Sequence, residues 1–151
     1  MTIPSLFNKQ DADAILARLQ NLTPENTREW GKMDVAQMLN HCTRPLEVAL
    51  GDKHYKRSLF AKIMGPFFKK KLTNEVPFDK NLPTDPSYVV TENYDFTTER
   101  GRLITLICRF QNADQNEIAA RQHLFLGTIT APEWGQCMYK HLDHHLRQFA
   151  A

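Results

Sequence analysis

His141 and His145 stand four residues apart in the run W-G-Q-C-M-Y-K-H-L-D-H-H-L-R-Q-F, residues 134–149. Imidazoles at i and i+4 share one face of a helix and can close on a single metal ion. The same spacing also suits two hydrogen-bonded core histidines, so the pair leaves both readings open until a third ligand is found. His41 is the candidate, at the end of W-G-K-M-D-V-A-Q-M-L-N-H, residues 30–41. Three neutral imidazoles suit Zn, Ni or Fe(II) and leave positions for water or substrate, the arrangement of catalytic rather than closed structural sites.

The elements that must position these side chains read as helices. The final one opens at Thr130-Ala131-Pro132-Glu133, where Pro in the first turn and Glu three residues after Thr make a capping-box start. At about 100° per residue, Trp134, Met138, Leu142, Leu146 and Phe149 form its apolar face. Gln136, Lys140, Asp143 and Arg147 fall opposite, His141 and His145 border the apolar face, and His144 turns to the flank. A second helix runs over Asp34–Leu50 and stops at Gly51. Its stripe is Val35, Met38, Leu39, Cys42, Leu46 and Ala49, with His41 on the shoulder, and Pro45 removes the helical bond to the His41 carbonyl.

Asp11–Asn21 and Asp95–Phe110 supply two more helices. Leu59, Phe60, Ile63, Met64, Phe67 and Phe68 mark a shorter amphipathic one, interrupted at Gly65-Pro66, that packs on the core, lines a pocket or meets a partner subunit. Thr73 to Pro86 is a long loop, of a length that points to a nearby site. Tyr88 to Val90 is extended at most, Asn112 to Asn116 is a polar stop, and Ala120 to Thr128 leads into the last helix. The expected fold is all-α, a four-helix bundle with one extra short helix, as a single domain over residues 1–151. In such bundles, sites are built from side chains of facing helices, so His41 converges with His141 and His145 if their helices pack together.

Composition narrows the function classes. With 42% hydrophobic and 24% charged residues, the 151-residue chain has an ordinary globular balance and length enough for a core. No apolar run approaches the ~20 residues of a membrane span, and the N-terminus lacks signal-peptide features, so a cytoplasmic location is expected. Cys42, Cys108 and Cys137 are odd in number, form no C-x-x-C pair and read as small core residues, with Cys42 and Cys137 near enough to border a site. Seven basic and no acidic residues lie between Lys53 and Lys71, leaving 12 basic against 17 acidic elsewhere. That patch reads first as a solvated face, and second as a surface for phosphate or anionic lipid. No nucleic-acid-binding motif accompanies it, so neither a nucleic-acid partner nor stable membrane association is expected. There is no Ser-His-Asp signature, no Gly-rich phosphate loop and no H-E-x-x-H, and no catalytic acid or base stands out.

Residues 30–41 together with H-L-D-H-H-L-R-Q-F, residues 141–149, resemble the DinB/YfiT-like superfamily of metal-binding four-helix proteins, and within it a bacterial branch. The resemblance extends from about Ala12 to Phe149. It implies a bundle with unusual connections, a homodimer, and His41, His141 and His145 as ligands of one divalent metal. Where the family has a His-Pro-x-x-Gly turn, this chain has His123-Leu124-Phe125-Leu126-Gly127, which makes His123 a turn residue first and a pocket residue second. Gln148, seven positions after His141, is expected to hydrogen-bond a ligand from behind, and His144 to be exposed or to play a similar supporting part. The resemblance further implies a low-molecular-weight thiol as cosubstrate, activated at the metal for attack on a small-molecule electrophile, with water as the alternative nucleophile. The competing expectation is a non-enzymatic dimeric module for binding or stress response, with structural or adventitious metal binding.

Overall fold

The computed structural model describes residues 2–151, which are almost wholly helical outside the loops. Four long helices form the bundle: α1 (Lys9–Asn21), α2 (Val35–Leu50), α4 (Phe96–Gln111) and α6 (Ala131–Gln148). Between them lie α3 (Leu59–Thr73), a single 3-10 turn at Pro86–Tyr88, the short α5 (Gln115–Ala119), and a hairpin of β1 (Gln122–His123) and β2 (Gly127–Thr128). The fold is all-α, as expected.

Local chemistry starts and stops these helices. Asp34 and Thr130 accept the amides of Gln37 and Glu133, whose side chains reach back to the capping residues' own amides, so both histidine-bearing helices begin with a full capping box. Gly51 ends α2 in the left-handed conformation, φ 78°, that side chains avoid. The apolar face read for α6 is buried: Trp134, Leu146 and Phe149 are 1% exposed. It packs with Leu39, Leu46, Leu103, Ile107 and Phe110 into one core.

Several features differ from their sequence reading, and Cys108, read as a core residue, is exposed. The third helix is neither short nor interrupted: α3 runs 15 residues straight through Gly65-Pro66. The proline ring's fixed φ suits a helix, although the ring removes the bond to the preceding turn and crowds the carbonyl four residues back. Gly65 is there for a close approach, since a Cβ at that position would stand 2.4 Å from the backbone oxygen of Phe125 in the hairpin. A Gly65→Ala protein is expected to lose about 1–3 kcal/mol through forced separation of α3 from the hairpin, read by urea denaturation. α5 begins within the polar stop and runs past it to Ala119, and the lead-in to α6 contains the hairpin, two strands of two residues each, too short to show any alternation. Lys140 departs from its reading as well. It is 6% exposed rather than solvated, and its ammonium donates to the Lys71 carbonyl (2.7 Å) and to Asn74 Oδ1 (2.8 Å). A cation that meets the last carbonyls of a neighbouring helix is held by them, so Lys140 ties the end of α3 to α6.

Candidate metal centre

His41 on α2 and His141 and His145 on α6 converge, each offering a nitrogen within 4.8 Å of the others. His41 and His145 are 4% and 8% exposed, and His141 is half-buried. The closest pair is His41 Nε2 and His141 Nε2, 2.9 Å apart. Two imidazole nitrogens so close need a proton or a cation between them. Metal–nitrogen bonds of about 2.0–2.1 Å place two ligands of one ion roughly 3 Å apart, so this pair already has that spacing. For one ion to be held by all three, the third side has to close as well, since the nitrogens lie within 4.8 Å rather than about 3 Å of one another.

Hydrogen bonds behind the rings fix which nitrogen faces inward. His41 Nδ1 lies 2.7 Å from the Tyr88 carbonyl oxygen, which can only accept, so Nδ1 carries the proton and Nε2 presents its lone pair to the site. His145 Nδ1 lies 2.8 Å from Gln148 Oε1. The Gln148 amide cannot be reversed, because its Nε2 donates to the Trp30 carbonyl at 2.8 Å. His145 therefore donates from Nδ1 and also points its Nε2 lone pair inward. Gly31 makes room for this bridge: a Cβ there would meet Gln148 Nε2 at 2.4 Å, and φ is +84°. Inward lone pairs braced by acceptors from behind form the donor set of a histidine metal site.

The Tyr88 carbonyl is itself braced. Arg44, one turn after His41, donates to the Ser87 and Val89 carbonyls (2.9 and 3.1 Å) and to Asn40 Oδ1 (3.2 Å). Asn40 in turn donates to the buried Glu99 of α4 at 3.1 Å. A polar chain thus runs from the bundle interior to the turn that orients His41. Neither Arg44 nor the Tyr88 main chain stood out in the sequence, because a carbonyl acceptor has no residue signature.

Electrostatics keep the ligands deprotonated. Burial holds His41 down at about 4, with the Arg44 guanidinium adding to the effect and the Tyr88 hydrogen bond opposing it. Burial first, then the neighbouring imidazoles, hold His141 and His145 well below the usual histidine range. All three are neutral at pH 7, the state a metal requires.

The two other histidines named with the site lie beside it. His123 Nδ1 accepts the amides of Phe125 (3.2 Å) and Leu126 (3.0 Å), so the imidazole organises the hairpin turn that proline shapes in the family pattern. Its Nε2 is 3.5 Å from Cys137 Sγ, and burial lowers its pKa to about 4. His144 sits edge-on to Trp30 and tilted against Phe78. Burial also raises the Cys42 thiol, and Cys137 to about 12, so neither is a thiolate at neutral pH.

A cavity of about 410 Å³ opens beside the three histidines. Phe60, Phe68 and Leu72 of α3, Phe78, Leu82 and Pro83 of the long loop, and Tyr88 and Phe125 form walls that are mostly apolar and aromatic. His123, His144 and Cys137 also face it. No Lys or Arg is among its lining residues. The long loop therefore does lie at the site, and the basic segment does not supply charge to it. Lys53, Lys69 and Lys71 pair instead with Glu47, Glu133 and Asp79, and Arg57 donates to the Leu124 and Phe125 carbonyls.

Gln148→Leu is expected to weaken divalent-metal affinity about 10–100-fold, the usual effect of removing a supporting hydrogen bond, with the fold retained. Competition titration against a chromophoric chelator measures it, and an unchanged affinity would dismiss Gln148 as a positioning residue.

The family described as "Protein of unknown function (DUF1569)" matches residues 4–151, and the chain belongs to that family. No curated protein and no solved structure matches it.

Proposed function

We propose, from that membership and the geometry above, that the protein is a metal-dependent enzyme of the DinB/YfiT-like kind, which activates a small thiol, or failing that water, for attack on a small apolar electrophile. One observation carries the reading. The two Nε2 lone pairs of His41 and His145 are turned inward by acceptors that leave them no other tautomer, at the edge of an aromatic cavity. A divalent ion of Zn, Ni or Fe held by His41, His141 and His145 supplies Lewis acidity, lowering the pKa of a thiol or water that binds it.

The chain's own residues do the rest. Tyr88 and Gln148 hold the ligand tautomers through their hydrogen bonds. Phe60, Phe68, Phe78 and Phe125 exclude water and select an apolar substrate, at the lower end of the size range of small-molecule sites. With no cationic lining residue to meet a carboxylate, a neutral thiol suits the cavity better than an anionic one. His144 and His123 border the same space, but His123 already spends Nδ1 on two amides.

A non-enzymatic metal-binding module is the second reading. It is favoured by Asp85, the only carboxylate among the lining residues, whose oxygen is occupied capping the 3-10 turn through the Ser87 amide. The test is thiol consumption by metal-loaded protein against a panel of small aromatic and aliphatic electrophiles, with product release from hydrolysable esters and amides followed in parallel. Turnover at least about 100-fold above that of His41→Ala is expected. Metal-replete wild type indistinguishable from that variant in every assay would leave the binding module.

A further inference from the structure

The outer side of α3 is uncovered. Ala61 and Gly65 face inward and are buried, whereas Leu59, Phe60, Ile63 and Phe67 are 73%, 58%, 57% and 78% exposed. At helical spacing these four fall within about 100° of one another, so they form one stripe rather than scattered apolar positions. Lys70 falls inside that arc and Lys62 beside it, and Lys56 lies just ahead of the helix. Among the described residues none of these three lysines forms an ion pair, and residues 53–71 contain no acidic side chain.

The charge decides between occupants. A symmetric contact with a second copy would set the unpaired Lys56, Lys62 and Lys70 against their own copies, and the nearby carboxylates Glu133 and Asp79 are already engaged by Lys69 and Lys71. A stripe of Leu, Phe and Ile flanked by free lysines matches an anionic interface into which apolar side chains can sink. Among the described residues no helix is long and apolar enough to cross a membrane, and a stripe of this kind lies along the interface rather than through it.

We propose that α3 docks the protein reversibly on an anionic lipid surface, with Leu59, Ile63 and Phe67 in the headgroup–acyl boundary and Lys56, Lys62 and Lys70 on the headgroups. Phe60 belongs both to the stripe and to the cavity wall, so an apolar molecule dissolved in that surface lies next to the cavity. This last consequence rests on the proposed function; the docking does not.

The test is co-sedimentation of the full chain with phosphatidylcholine vesicles and with vesicles also containing phosphatidylserine. Two variants, Ile63→Ser/Phe67→Ser and Lys62→Glu/Lys70→Glu, change residues outside the cavity lining and the histidine group. Binding to the serine-containing vesicles is expected to exceed that to phosphatidylcholine alone at least about tenfold, and to fall at least about tenfold in about 0.5 M NaCl. Each variant is expected to lose at least about tenfold while keeping wild-type helicity and metal stoichiometry. Equal binding to both vesicle types, or none to either, overturns the proposal. So does a wild-type dimer in sedimentation equilibrium that Ile63→Ser/Phe67→Ser dissociates without any effect on lipid, which would give the stripe to a second copy.

Discussion

His145→Ala protein is expected to bind Zn, Ni or Fe(II) at least about 100-fold more weakly than wild type, beyond the 10–100-fold typical of a supporting residue. The side chain removed is one of three that converge within 4.8 Å, and it presents a lone pair fixed by Gln148. Two imidazoles remain, and His141 and His41 alone make a far poorer chelate than three. The variant should still fold, because His145 borders a cavity and its loss does not empty the packed interior around Trp134 and Leu146. Metal content by inductively coupled plasma mass spectrometry on untagged protein, after reconstitution with each ion, reads the effect, and far-ultraviolet circular dichroism checks the fold. His41→Ala/His145→Ala should be metal-free and helical. If wild type takes up none of the ions, or if the double variant retains one, the three histidines are not a metal centre and the enzyme reading goes with them.

The parts of this arrangement legible in sequence are those governed by periodicity. His141 and His145 share a helix face because of their spacing, and His41 joins them because its helix presents the shoulder of an apolar stripe. Capping residues Asp34, Thr130 and Gly51 set the helix ends where local hydrogen bonding required them. What escaped depends on long-range contact. Lys140 falls on the polar side of α6 by angle, but α3 crosses there and its terminal carbonyls draw the ammonium in. Gly65-Pro66 resembles a helix break, yet the glycine answers to the hairpin's backbone and the helix continues. The Tyr88 carbonyl, which sets the His41 tautomer, is main chain. Gln148 was legible as a supporting residue from its place seven positions after His141 on the same side of the helix, and the ligand it meets is His145, one turn before it. The cavity was legible only in part: the length of the loop pointed to a nearby site and α3 could line a pocket, but their meeting with the hairpin is a contact between segments distant in sequence.

Metal-free protein is expected to lose several kcal/mol of stability as pH falls from about 6.5 to about 4, the largest stability effect expected for this chain. The sign follows from the direction in which burial moves the imidazoles. His41 and His123 titrate near 4 when folded, against the 6.5 of a histidine in an unfolded chain. Between those pH values the unfolded state takes up protons that the folded state refuses, so stability declines as pH falls and flattens, for these groups, below the folded values. Each group contributes roughly 3 kcal/mol over that window, at about 1.4 kcal/mol for each pH unit. His141 and His145, also held low by burial, act in the same direction. The two-residue sum is comparable with the whole stability of a typical domain, about 5–15 kcal/mol, so the apo-protein should unfold in mild acid. Urea melts in the presence of a chelator, from about pH 7.5 downward, measure the slope, which counts the excess protons bound on unfolding. His123→Gln should be less stable near neutrality, because two hairpin amides lose their acceptor, yet its slope should fall by about one proton. That separates burial of an uncharged imidazole from a general acid sensitivity of the fold. A slope unchanged in His123→Gln would mean that His123 does not resist protonation in the folded state, and a flat wild-type profile would mean that none of these histidines is buried neutral.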